Sequence, residues 1–159
     1  MRAILTVSAL LLVAGCQPPP ETEIEPERTA QEIESAVDDL RADWQSMANA
    51  DDAAGVAALY ASDAVLIDPY GNVHNGRDAI QGYFTESFAN ASSFEIQTTD
   101  LMSHGDMVVG YGSFDQTVQG PESDMTMTGM WQTVSMFQPD GSILIRLHQS
   151  MLPAEPPEM

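Results

Sequence analysis

Apolar and polar positions alternate along this chain with two distinct periods, and the change of period divides it. Ile33, Val37, Leu40, Trp44 and Met47 recur at helical spacing, while Glu34, Asp38, Arg41 and Gln45 fall on the opposite face. This predicts an amphipathic helix over 30–49, opened by the capping box Thr29-x-x-Glu32. Asn49-Ala50-Asp51 breaks it. A short second helix over 52–61 buries Val56, Leu59 and Tyr60. The apolar run 64–67 reads as a strand by composition. Asp68-Pro69-Tyr70-Gly71-Asn72 is a turn, because proline presets φ and glycine tolerates a positive φ. Gly76-Arg77-Asp78 leads into a third helix whose inner side is Ile80, Tyr83, Phe84 and Phe88.

After Ala91 the period falls to two. Phe94, Ile96 and Thr98 alternate with Glu95 and Gln97. His104-Gly105-Asp106, Gly120-Pro121-Glu122-Ser123 and Gln138-Pro139-Asp140-Gly141 punctuate the rest. They leave strands over 107–119, 124–137 and 142–151. Helices first and an antiparallel meander second argue an α+β domain, with helices packed on one face of a curved sheet.

Composition adds a compartment and removes some functions. The chain has 159 residues and a formal net charge of −19, with five basic residues, all arginine. Such a surface repels phosphate backbones and anionic headgroups, so no nucleic-acid partner is expected. The one cysteine, Cys16, excludes an intrachain disulfide. Arg2 precedes an apolar run over 3–15 that is too short to span a bilayer and has the layout of a secretory signal. Val13-Ala14-Gly15-Cys16 resembles a bacterial lipobox, in which the cysteine is acylated and begins the mature chain. Buried acyl methylenes then hold the protein at the membrane. Gln17, where an aspartate would resemble an inner-membrane retention signal, leans toward the outer membrane in a host that has one. Residues 16–28 are rich in proline and glutamate and read as a tether. The expected organisation is a signal peptide at 1–15, lipidated Cys16 and tether at 16–28, one domain at 29–152, and a tail at 153–159.

The order of several short motifs carries a family resemblance. Trp44, Asp51-Asp52, Leu59-Tyr60-Ala61, Asp63-Ala64-Val65, Asp68-Pro69, Gly76-Arg77 and Ile80 resemble the first half of the nuclear transport factor 2-like superfamily. A strand, Asp140-Gly141 and a strand closing on Arg146 and His148 resemble its second half. The resemblance spans about residues 30–152 and is similar to the SnoaL-like branches. It implies a cone-shaped barrel, in which a strongly curved antiparallel sheet wraps the N-terminal helices and leaves an apolar pocket open at one end. Homodimers through the sheet are common in such families.

The resemblance also supplies candidate chemistry. The Asp68-Pro69-Tyr70-Gly71 turn is similar to the one that carries the general base of ketosteroid isomerases. Asp68 therefore reads as a base, as a hydrogen-bonding partner of a ligand, or as a turn former. The tyrosine and protonated acid of the isomerase oxyanion hole correspond here to Trp44 and Thr133, so ketosteroid isomerisation itself is not expected. On the last strand Arg146, His148 and Ser150 share one face. By the resemblance that face lines the pocket, with Arg146 clamping a carboxylate or pairing with Asp68, and His148 moving a proton. Trp131 shares a strand face with Thr133. Tyr70, Tyr83 and Phe84 complete the candidate ligand-binding set, together with Trp44. Alternatives for the aromatic groups, for Arg146 and for His148 are ordinary core packing and an internal ion pair.

His74, His104 and His148 are far apart in the chain and no H-x-x-H pair exists, so neither a metal nor another cofactor is expected. The leading reading is a lipid-anchored envelope protein whose pocket binds a small apolar molecule with a polar end. The alternatives are an acid–base enzyme of isomerase, dehydratase or cyclase type using Asp68, and a subunit that binds another protein through its sheet.

Overall fold

The computed structural model describes residues 28–120 and 122–153. The expected signal peptide, Cys16, the expected tether as far as residue 27 and the tail from residue 154 lie outside the described residues.

Helix α1 spans Ala30–Ala48 and begins as its sequence dictates. The Thr29 N–H donates to Glu32 Oε2 at 2.7 Å, and the Glu32 N–H to Thr29 Oγ1 at 3.3 Å. Two of the four orphan donors of the first turn are thereby used. Its buried residues are Ile33, Val37, Trp44 and Ala48, the expected stripe. Helix α2 is shorter than the sequence suggests and spans only Ala53–Ala58. Asp52 caps its start by accepting from the Gly55 N–H at 2.8 Å. Its end is set by the sheet, because the Leu59 carbonyl accepts from the Ile145 N–H at 3.0 Å. Tyr60 thus already belongs to a strand.

That strand, β1, covers Tyr60–Ile67 and returns as β2, Val73–Asn75, a short strand with no signal in the periodicity. The turn between them closes through the Asp68 N–H to the Asn72 carbonyl at 3.0 Å, with Gly71 at φ 87°. Helix α3, Arg77–Phe88, buries Ile80, Phe84 and Phe88. Four long strands follow: β3 (Ala91–His104), β4 (Met107–Val118), β5 (Met125–Phe137) and β6 (Ile143–Met151).

The six strands form one sheet in the order β2-β1-β6-β5-β4-β3. The meander β3 to β6 is antiparallel throughout, as expected. One pairing is not: β1 runs parallel to β6, with Tyr60 opposite Ile145 and Leu66 opposite His148. A pairing between the first and last strands leaves no trace in local periodicity. It places the strand that carries Tyr60 and leads into Asp68 beside the strand that carries His148.

The sheet curls because its long strands carry irregularities. The β3–β4 register shifts between Thr98 and Asp100, and the β5–β6 register between Val134 and Ser135. Extra residues of this kind bend a strand and raise its twist. At the first bend a Cβ on Gly112 would lie 1.9 Å from the Gln97 carbonyl oxygen, so only glycine fits beneath it.

The helices lie on the concave face, and two apolar clusters fill the space between. Ile33, Val37, Val108 and Phe137 occupy one end. The larger cluster is aromatic and centres on Trp44, whose ring meets Phe84, Phe94 and Phe88 edge-on at centroid distances of 5.5, 5.7 and 6.4 Å. The edge of β3 is stitched to α1 by side chains. Asn49 exchanges two hydrogen bonds with the Phe94 backbone, at 2.7 and 3.0 Å, and Gln45 Oε1 accepts from the Ile96 N–H at 2.8 Å. An otherwise open sheet edge is thus covered by the polar face of a helix.

Candidate functional site: a cavity with one polar strip

Where α1 and the curved sheet diverge, a cavity opens between them. Leu40 and Trp44 form its helical wall, Tyr83 and Phe84 come from α3, and Phe114 and Trp131 close the sheet side. Apart from Arg41, Ser87 and Gln116, the polar part of the lining is a strip on the inner face of β5 and β6. Thr133 stands directly opposite His148, Trp131 opposite Ser150, and Ser135 lies one inward position further along β5.

His148 is held at the back of the cavity by a chain of hydrogen bonds. Trp44 Nε1–H donates to Tyr60 Oη at 3.2 Å, and Tyr60 Oη lies 2.6 Å from His148 Nδ1. Tyr60 is wholly buried, and an indole N–H can only donate. The Tyr60 hydroxyl hydrogen therefore has one acceptor within reach, Nδ1. That fixes the tautomer: the ring proton sits on Nε2, which donates to Ser150 Oγ at 3.2 Å. Ser150 keeps its own O–H for the cavity it lines. Burial pushes the His148 pKa down to about 4, so the ring is neutral at neutral pH. Burial also pushes the Tyr60 phenol well up, keeping its proton in place.

Asp68 is treated in the opposite way. Its Oδ1 accepts from the backbone N–H groups of Tyr70 and Asn72, both at 2.9 Å. Its Oδ2 accepts from Asn72 Nδ2 at 2.9 Å and lies 3.2 Å from His74 Nε2. Only 4% of the residue is exposed. Burial by itself would raise its pKa. The hydrogen bonds from Asn72, with those from His74 and Tyr70, outweigh it and hold the carboxyl below its usual range. The cavity lining reaches Pro69 but does not include Asp68. This geometry is that of a turn former, and a carboxylate so well solvated by donors is a weak base. Next to it the His74 ring packs on Tyr83 at 4.6 Å. Burial, reinforced by the Asp68 charge, pushes the Tyr83 phenol up to about 12.

Of the residues singled out in the sequence, the structure brings Trp44, Tyr83, Phe84, Trp131, Thr133 and His148 into one cavity. Two of them spend their N–H elsewhere: Trp44 on Tyr60, and Trp131 on the Ser113 carbonyl at 3.1 Å. Their contribution to the lining is therefore apolar surface. Arg146 is not in the cavity, and it pairs with Asp63 instead of clamping a ligand or reaching Asp68. The cause is the register shift opposite Val134 and Ser135: Leu147 pairs with the first and Ile145 with the second, so Arg146 is the extra residue and Ile145 turns inward. Tyr70 sits at the tip of the β1–β2 turn and is 76% exposed.

Arg41 shows the converse. Its position on α1 suggests a solvated face, yet it lines the cavity. Its Nη1 donates to the Ile96 carbonyl at 2.9 Å and its Nη2 to Asp38 Oδ1 at 3.3 Å. The signal was present in the spacing. Arg41, Gln45 and Asn49 recur every four residues as one polar stripe, and that stripe meets a strand edge rather than water. Among the described residues no three histidine, cysteine, aspartate or glutamate side chains converge as a metal site would require.

Comparison with known proteins agrees with this architecture. The family model for the SnoaL-like domain matches residues 42–143. A Mycobacterium tuberculosis protein of unknown function superposes with a TM-score of 0.66 at 24% identity, over 77% of this chain and 73% of that one. A nuclear transport factor 2-like protein with a cystatin-like fold from Novosphingobium aromaticivorans gives 0.69 at 13% identity, over 80% and 86%. A ketosteroid isomerase-like protein from Erwinia carotovora atroseptica gives 0.66 at 14% identity, over 80% and 100%. No curated protein matches the chain. At these identities the structural likeness speaks for the fold, and the matching family model, which spans most of the folded domain, shows that the chain belongs to the SnoaL-like domain family.

Proposed function

We propose that this protein is a lipid-anchored binding protein of the bacterial cell envelope. Its cavity takes a small apolar molecule whose polar end meets His148, Ser150 and Thr133. The observation that carries the reading is the division of labour around the cavity. Apart from Arg41 on α1 the walls are mainly apolar and aromatic, the strip is built of neutral donors and acceptors, and the buried acid nearby is fully engaged in a turn. A ligand that buries its apolar body against Trp131 and Phe114 can match its one polar group to that strip. The lipobox supports export and anchoring at Cys16, with the outer membrane as the destination where the host has one. Mass spectrometry of the mature protein should find acyl chains on Cys16, and a mature chain beginning elsewhere would remove the anchor from this account.

Binding is tested with Nile red, a neutral apolar dye with a single carbonyl end. Saturable fluorescence at one dye per chain is expected. Thr133→Phe, which fills the cavity, should weaken binding by at least about tenfold without lowering the melting temperature. Dye uptake that does not saturate, or that survives Thr133→Phe unchanged, would place the dye elsewhere and defeat the reading. The acid–base alternative makes a different demand, namely that Asp68→Asn abolish a turnover while ligand affinity survives.

The convex face of the sheet bears a row of directly paired apolar residues, Val65, Leu147, Val134, Val109 and Met102. This row supports a second copy of the chain as the partner on that face, which light scattering at micromolar concentration would reveal as twice the monomer mass.

A further inference from the structure

The cavity carries one charged side chain, and its bonding is incomplete. With His148 neutral, Arg41 is the only charge among the cavity-lining residues. The other described arginines are committed elsewhere: Arg28 to Asp106, Arg77 to the Tyr60 carbonyl through both Nε and Nη2, and Arg146 to Asp63. Arg41 places Nη1 on the Ile96 carbonyl and Nη2 on Asp38, but its Nε–H is buried with no partner among the described residues. A guanidinium offers five N–H groups in a rigid fork, so three remain after those two bonds. An unmet buried donor on a charged group is costly, and it stands out in a structure that satisfies its other buried cavity donors. The second such atom, Thr98 Oγ1, does not belong to the cavity lining.

The charge context makes this position selective. The chain as a whole is strongly acidic, with a net charge of −19, and repels anions from most of its surface. Inside the cavity the balance reverses, because no carboxylate joins the lining and the nearest acid, Asp38, makes a long contact on a half-exposed side chain. A carboxylate is the group whose shape and charge fit a guanidinium fork, and a poorly solvated wall strengthens that attraction.

We propose that Arg41 is the acid-binding residue of the cavity, and that the ligand is an apolar carboxylic acid. The carboxylate lodges against the Arg41 guanidinium on the helix wall. The aromatic or aliphatic body lies against Trp131 and Phe114, and a neutral hydroxyl or carbonyl meets the His148–Ser150 strip. This rests on the reading of the cavity as a ligand site and adds the charge of the ligand to it.

The test compares two probes of one skeleton, 6-hydroxy-2-naphthoic acid and 6-(hydroxymethyl)-2-naphthol, by calorimetry with the purified chain at pH 7. The acid is expected to bind about tenfold more tightly than the alcohol, the increment of one charge-assisted hydrogen bond. In Arg41→Gln the preference for the acid over the alcohol should shrink below about twofold. Arg41→Lys keeps the charge without the fork and should hold a reduced preference, so it serves as the second variant should Arg41→Gln loosen the seam between α1 and β3. Equal binding of acid and alcohol to the unaltered chain would overturn the proposal while leaving the cavity as a ligand site. A preference unchanged in either Arg41 variant would also overturn it. If neither probe binds, both this inference and the reading beneath it fall.

Discussion

Two buried titratable groups stand close to one another in the sheet, Asp68 in the turn that ends β1 and His148 on β6, and the fold treats them oppositely. Asp68 is ringed by four donors, on Tyr70, Asn72 twice and His74, and stays charged. His148 is surrounded by the aromatic cluster, accepts one hydrogen bond from the Tyr60 hydroxyl on Nδ1 and stays neutral. Burial alone would push both toward their uncharged forms. What differs is the supply of hydrogen bonds to the charged form, which is full at Asp68 and missing at His148. The lesson is one of role. A buried charge that the backbone satisfies belongs to the scaffold, whereas a neutral imidazole whose N–H is spent on a cavity-lining hydroxyl orients that hydroxyl toward the proposed ligand site.

The largest effect that separates the two is in pH. The folded pKa of His148 lies near 4, below its ordinary 6.5. Its neutral form is therefore favoured in the folded state, and stability is full above pH 6.5 and falls as pH drops toward 4. The loss should be on the order of 3 kcal/mol, read by urea denaturation across that window. His148→Gln should flatten it. Asp68 is also depressed, but from 3.8, so its contribution disappears only below that pH and cannot produce the same slope. A flat profile between pH 6.5 and 4 in the unaltered protein would break the comparison from the His148 side.

Asp68→Ala comes next. It strips acceptors from two backbone N–H groups, and should cost about 2–3 kcal/mol in denaturation midpoints. The same variant should change Nile red affinity by less than about twofold, since Asp68 is not part of the cavity lining. A large loss of affinity with stability intact would return Asp68 to the site. Tyr60→Phe is expected to cost about 2 kcal/mol, because it leaves Trp44 Nε1 and His148 Nδ1 without their shared partner. It should also let His148 populate both tautomers, which ¹⁵N spectra of the imidazole would report. The smallest effect belongs to Arg146→Ala. Its pair with Asp63 is half exposed, so stability should move by less than about 0.5 kcal/mol and dye affinity not at all.

The helices and the meander were legible in the sequence because their signals are local: the capping box at Thr29, the stripe from Ile33 to Trp44, and the turn glycines. The parallel pairing of β1 with β6 and the short β2 were not, since neither leaves a period of its own. Site residues divide along the same line. Trp131 and Thr133 keep strict alternation along β5, and alternation finds their face. Arg146 is misplaced by the same rule because one extra residue in β6 reverses the parity between Ile145 and His148. Arg41 was hidden because a polar stripe on a helix normally faces water, and here the edge of β3 takes the place of the solvent. The role of Asp68 depended on what its oxygens touch, and Asn72 and His74 are reached only once the turn has closed.

The most direct measurement is the protonation of His148 itself, followed through the imidazole nitrogens of ¹⁵N-histidine-labelled protein between pH 8 and pH 5. A single tautomer is expected throughout, with the proton on Nε2 and Nδ1 bare, and no titration until the pH approaches about 4. Tyr60→Phe should disturb that pattern and Asp68→Ala should leave it intact. A His148 ring that protonates near pH 6.5, or that carries its proton on Nδ1, would contradict the neutral polar strip on which the proposed ligand site depends.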